Sequence, residues 1–179
     1  MNAIKKVLAV AVMAIPMAAF AQTTSVTFTG KVVAETCTAT INGSSDATIT
    51  LPTVATTDLN AAGATAGLTP FTIDLADCTA PSSAAGDQLI NVVFNAQNLT
   101  TAGNLGNTSD AANVAVQITT DDAGTAVADM SGATGTPGLT LPVGSTSTSA
   151  TYGARYVAED GAAGAGAVNA VANYTLEYL

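Results

Sequence analysis

From residue 22 onward the apolar positions recur every second residue, and turn-forming residues interrupt them at short intervals. A period of two, broken by Gly, Asn, Ser and Pro, predicts short strands of an all-β sandwich or barrel, and no segment shows the 3.6 period of an amphipathic helix. The pattern predicts strands over Val26–Ala34, Ala47–Leu51, Phe71–Ala76, Leu89–Asn95, Asn113–Thr119, Ala150–Val157 and Val168–Leu179. Phe71, Ile73 and Leu75 share one face, as do Val114, Val116 and Ile118, whose alternates Ala115, Gln117 and Thr119 are expected on a solvent side. The run Leu89–Phe94 is almost continuously apolar and predicts a central strand. Stretches rich in Gly, Ser, Thr, Ala and Asn (60–67, 100–111, 121–138 and 161–166) are expected to be loops. With no repeat and no dividing linker, the pattern predicts one domain.

The first 21 residues follow a different rule. Lys5 and Lys6 precede an apolar stretch from Val7 to Met17, and Ala19-Phe20-Ala21 follows, which predicts a signal peptide cleaved between Ala21 and Gln22. Val7–Ala21 is shorter than the roughly 20 residues that span a bilayer as a helix, so no membrane anchor is expected. Cleavage leaves 158 of the 179 residues and takes the formal charge from −9 to −11, because both lysines go and no acid does. Lys31 and Arg155 are then the only cations. So acidic a chain has no basic face for phosphates, and nucleic acid is excluded as a partner.

Export also gives the two cysteines a meaning. In an oxidising compartment Cys37 and Cys78 predict a disulfide, since the spacing does not fit a Cys-x-x-Cys redox pair and no further Cys or His is present to complete a metal site. Only 4% of the residues are aromatic, so the core must come from Val, Ile, Leu and Ala, and a cross-link matters more.

Catalytic chemistry finds little support. Histidine is absent, which removes the Ser-His-Asp and Cys-His arrangements and the commonest general base. Asp121-Asp122 is expected in a solvated turn, because a calcium loop would offer oxygens at alternate positions. The glycines between 132 and 138 lack the Gly-Lys-Ser/Thr ending of a phosphate loop. No catalytic residue, cofactor or metal is expected. A self-contained secreted β-sandwich that recognises a glycan or protein through its loops stays open as an alternative, although sugar-binding modules usually stack their ligands on aromatics that are scarce here.

The two ends stand out. At one, Val26, Phe28, Gly30, Val32 and Ala34 point the same way if extended; at the other, Tyr174, Leu176 and Tyr178 share a face. Both also fit ordinary edge strands of a closed sandwich. The series Val26–Cys37, then Ile73-Asp74-Leu75-Ala76-Asp77-Cys78, Val114–Ile118, Ala154-Arg155-Tyr156 and the penultimate Tyr178 resembles a chaperone/usher fimbrial major subunit of the type 1 pilin family.

That resemblance implies an immunoglobulin-like sandwich that lacks its last strand and is completed by a donor strand from a neighbouring subunit. It divides the chain into a signal peptide (1–21), an N-terminal donor-strand extension (22–34) and a pilin domain (35–179). Val26, Phe28, Gly30 and Val32 would enter a neighbour's groove, while Tyr174, Leu176 and Tyr178 would border this chain's own groove and pair with a chaperone strand. The implied partners are identical or related pilin subunits, a periplasmic chaperone and an outer-membrane usher. The implied product is a homopolymer at the cell surface: the shaft of a fimbria supporting adhesion, rather than a tip adhesin, which would need a further receptor-binding domain.

Overall fold

The computed structural model describes residues 37–179, all within one compact unit. They form eight strands: β1 (Thr38–Ile41), β2 (Thr65–Ala76), β3 (Gln88–Ala96), β4 (Leu105–Gly106), β5 (Val114–Thr119), β6 (Thr136–Leu141), β7 (Thr148–Ala158) and β8 (Ala172–Tyr178), with one 3-10 turn at Thr56–Leu59. A five-stranded sheet in the order β1-β2-β7-β5-β4 faces a three-stranded sheet in the order β6-β3-β8, and every paired neighbour is antiparallel. Among the described residues the fold is an immunoglobulin-like sandwich without its last strand.

Alternation builds the core between the sheets. Phe71, Ile73 and Leu75 of β2 and Ile90, Val92 and Phe94 of β3 are all buried, and Leu139 and Leu141 of β6 close one side. The run expected to be central does lie between two neighbours, as β3 between β6 and β8. Cys37 and Cys78 are disulfide-bonded, Cα to Cα 4.1 Å, tying the entry to β1 to the exit from β2.

Five expectations need correction. Ala47–Leu51 is extended but is not a ladder strand: none of its backbone groups bonds to another described residue. The loops expected at 60–67, 100–111 and 121–138 contain, respectively, the start of β2, the whole of β4 and the first residues of β6. Pro137 and Gly138 hid β6, and β4 is too short for any periodicity. Finally, β5 is buried on both faces apart from Gln117. Its outer side is covered by Asn104 and by the 120–128 turn, where the Thr119 hydroxyl donates to the Asp121 carbonyl at 2.7 Å.

Arg155 is the only cation among the described residues. Its guanidinium donates twice to Gln117 Oε1, at 2.9 and 2.7 Å, and once to the Gly124 carbonyl at 3.1 Å. Gln117 passes the chain on to Asn104, which donates to Glu159 at 2.6 Å. Two amides thus bridge cation and carboxylate across β7, β5 and the loop before β4.

Candidate functional site: an apolar groove beside the last strand

The site begins with the backbone of residues 167–178. The Leu179 N–H donates to the Leu89 carbonyl at 3.0 Å and the Gln97 N–H to the Val171 carbonyl at 3.1 Å. Antiparallel bonds recur every second residue, so the odd-numbered residues of β8 face β3 and the even-numbered ones face away. The segment before β8 keeps the same alternation against a different partner. Ala167 O accepts from Ala111 N (3.1 Å), Asn169 O from Thr108 N (2.8 Å), and Asn169 N donates to Asn107 Oδ1 at 2.8 Å. The Ala167 N–H donates to Asp110 Oδ1 at 3.0 Å, and that bond is the main reason the Asp110 carboxyl sits below the usual aspartate value. Val168, Ala170, Ala172, Tyr174 and Leu176 make no backbone hydrogen bond to another described residue. They form a continuous strand edge with open ladder groups.

The side chains of these even-numbered residues turn inward and are half-buried, while the odd-numbered ones are exposed. Across from them Ala47, Ile49 and Leu51 also alternate inward. Between the two rims runs a groove. Its larger part, about 690 Å³, is floored by Phe71, Phe94, Leu105, Val116 and Ile118 and reaches Tyr174. A smaller part of about 380 Å³ continues past Tyr156 to Val54, Leu59, Val114 and the segment 163–168. The floor is almost wholly apolar, and partial burial raises the Tyr174 phenol above its usual pKa. Such a surface does no acid–base work. What it offers is alternate pockets beside unpaired main-chain groups, which is what an added β-strand takes up.

Comparison with known proteins fits this geometry. The profile of the fimbrial protein family matches residues 26–179. The chain belongs to the fimbrial protein family. It is 37% identical to the F17 fimbrial protein of Escherichia coli, covering 99% of both chains. It is 33% identical to the laminin-binding fimbrial subunit ElfA of Escherichia coli O157:H7, covering 86% of this chain and 83% of that one. In fold it is similar to the P pilus rod subunit PapA, with a TM-score of 0.58 at 18% identity over 80% of this chain and 99% of that chain. A chain of a chaperone-usher pilus gives a TM-score of 0.60 at 20% identity, over 92% and 99%. This fimbrial protein is therefore a structural subunit of a surface fimbria and not an enzyme.

Of the site residues expected from sequence, Tyr174, Leu176 and Tyr178 lie on β8; Tyr174 lines the groove, and the other two continue the same face, packed on the core. Val26, Phe28, Gly30 and Val32, with Ala21 and Gln22, lie outside the described residues. The opposite rim, Ala47, Ile49 and Leu51, was predicted only as a strand, and nothing in its sequence says which segment it faces. Val168 and Ala170 belonged to an expected strand, but their place on an open edge depends on Asn107, Thr108 and Asp110, some 60 residues away.

Proposed function

We propose that this fimbrial subunit polymerises by donor-strand exchange: the extension 22–34 of one copy enters the groove of the next. Val26, Phe28, Gly30 and Val32 supply the inward face of that strand, while Val168 to Leu176 pair with its backbone and Tyr178 continues the edge. Before assembly a periplasmic chaperone lends a strand to the same groove, and an outer-membrane usher is the site of exchange and export. The polymer is the shaft of a surface fimbria and supports adhesion.

The observation that carries the reading is the coincidence of open ladder groups at even-numbered positions from 168 to 176 with an apolar groove below them. Burying Val26, Phe28 and Val32 contributes roughly 1.5 to 3 kcal/mol each, and each ladder bond about 1 kcal/mol. Dissociation from such a site is slow, which suits a filament outside the cell.

The test is a denaturing gel of protein sheared from the cell surface, run with and without boiling. Strand exchange predicts a ladder of multimers that collapses on boiling and is lost when residues 22–29 are deleted. A single band under both conditions, with monomer recovered in the absence of any chaperone, would overturn it.

A further inference from the structure

We propose that Tyr156 sets the register of the incoming strand, its ring occupying the place where Gly30 of the neighbouring copy must pass. The inference rests on the strand-exchange reading above and adds a residue to it. The two parts of the groove have only three lining residues in common: Ala167 and Val168, which belong to the rim, and Tyr156, which comes from β7 in the floor. Tyr156 therefore stands at the partition between a cavity of about 690 Å³ and one of about 380 Å³.

The ring is held there by a local irregularity in β2. Tyr156 pairs with Ala66, and the register shifts between Ala66 and Thr69. Gly67, inside that bulge, has φ +72°, and a Cβ on it would lie 3.1 Å from Tyr156 Cδ2 and 3.2 Å from Val54 Cγ1. Positive φ and close packing both require glycine at this position. The Gly67 backbone thus lies against the ring and leaves it little room to retreat on that side.

The inward face of the extension, Val26-Phe28-Gly30-Val32, steps by two residues, roughly 6.6 to 6.8 Å per step along an extended strand. Its largest side chain, Phe28, matches the larger cavity, over Phe71, Phe94 and Ile118; Val32 matches the smaller one. Gly30 then falls at the partition. A glycine inside a strand weakens it unless another group approaches closely, and the Tyr156 ring is that group. This placement puts Phe28 toward the Tyr174 end and Val32 toward residues 163–168, so the donor runs antiparallel to β8, as strands of such sandwiches do.

The experiment uses the full chain produced with its assembly partners and reads boil-sensitive multimers. Valine is the informative substitution at position 30, because it favours a strand more than glycine does, so any loss is steric. Gly30→Val should lower multimers about tenfold or more, and Gly30→Val with Tyr156→Ala should recover most of that loss, a coupling of the size that contacting residues show. Tyr156→Leu, which keeps more of the packing, is run in parallel. No rescue by either Tyr156 variant would overturn the proposal, as would failure of both to assemble when Gly30 is intact. If wild-type multimers depend on residues 22–29 but Gly30→Val assembles normally, only the Tyr156 assignment falls. If they survive deletion of residues 22–29, strand exchange itself falls.

Discussion

Phe71 and Tyr152 are directly opposite each other in the β2/β7 ladder, and their rings stack with centroids 5.8 Å apart and planes 27° from parallel. Phe94, from the other sheet, meets the same tyrosine edge-on at 5.8 Å and 81°. One ring thus joins the two layers in a chain short of aromatics. Tyr152 is fully buried, yet its hydroxyl has no hydrogen-bond partner among the described residues. A buried donor without a partner costs about 1 to 3 kcal/mol. Tyr152→Phe keeps both ring contacts and removes the orphan group, so it should raise the stability of the folded subunit by about 1 kcal/mol. Chemical denaturation of the two proteins side by side checks this; a lower midpoint for the phenylalanine variant would show that the hydroxyl does find a partner.

The same burial pushes the Tyr152 phenol from its ordinary value of 10.0 up to about 12. The folded state then holds its proton where the unfolded chain has released it, so stability is full below pH 10 and falls as pH rises toward 12. The loss at the top of that window is about 2 to 3 kcal/mol. Stability measured between pH 9 and 12 should drop in the wild type, and the drop should be smaller in Tyr152→Phe, which retains only the contributions of the other tyrosines.

How much of this was legible beforehand depends on the scale of the signal. Phe71-Ile73-Leu75 and Ile90-Val92-Phe94 could be read because a strand imposes its period locally and each run is long enough to show it. Leu105–Gly106 could not: two residues carry no period, and their pairing is fixed by Val116 and Ala115 across the ladder. At β6, Pro137 and Gly138 are turn residues by any local rule, but Thr136, Leu139 and Leu141 are buried against β3 and the core. The groove lay furthest from view, because it is defined by which residues lack a neighbour. Ala47–Leu51 has the pattern of a strand and packs its inward side chains on the core, but no described strand pairs with it. Tyr174, Leu176 and Tyr178 stand out by their shared face, but their place beside a groove came from a family resemblance; periodicity alone would have made them an ordinary edge.

The disulfide gives a stability prediction. Cys37 and Cys78 close a separation of 41 residues around the β1/β2 pair. Loop-closure entropy assigns such a cross-link roughly 4 kcal/mol at most. Cys37→Ser with Cys78→Ser should lower the melting temperature of the subunit and reduce the amount recovered from cells. An unchanged melting temperature and yield would show that β1 holds to β2 by its ladder alone.

Acid should loosen one rim of the groove. The Asp110 carboxylate accepts the Ala167 N–H at 3.0 Å and the Ser109 hydroxyl at 3.1 Å, and these bonds favour the ionised form. A carboxyl with a lowered folded value contributes stability that is present above its unfolded value and is lost as pH falls through the folded one. Below pH 4 the 167–169 segment should therefore exchange its amide hydrogens faster, while β3 and β7 stay protected. Asp110→Asn should show the faster exchange at neutral pH, and equal exchange in the two proteins would remove Asp110 from the account of the rim.

The alternation along the open edge can be tested with proline, which removes one N–H at a chosen position. The Asn169 N–H is already used, donating to Asn107 Oδ1 at 2.8 Å, so Asn169→Pro takes a bond from the fold itself and should destabilise the subunit by about 1 to 3 kcal/mol. The Ala170 N–H faces the groove and has no partner among the described residues. Proline is tolerated at a strand edge whose N–H faces solvent. Ala170→Pro should therefore leave the denaturation midpoint of the isolated subunit nearly unchanged while removing one bond to an entering strand. On the strand-exchange reading its multimers should dissociate at lower temperature in detergent than wild-type multimers do. The contrast between neighbours is the decisive result, because a groove that bound its partner by side chains alone would make Ala170→Pro silent in both measurements.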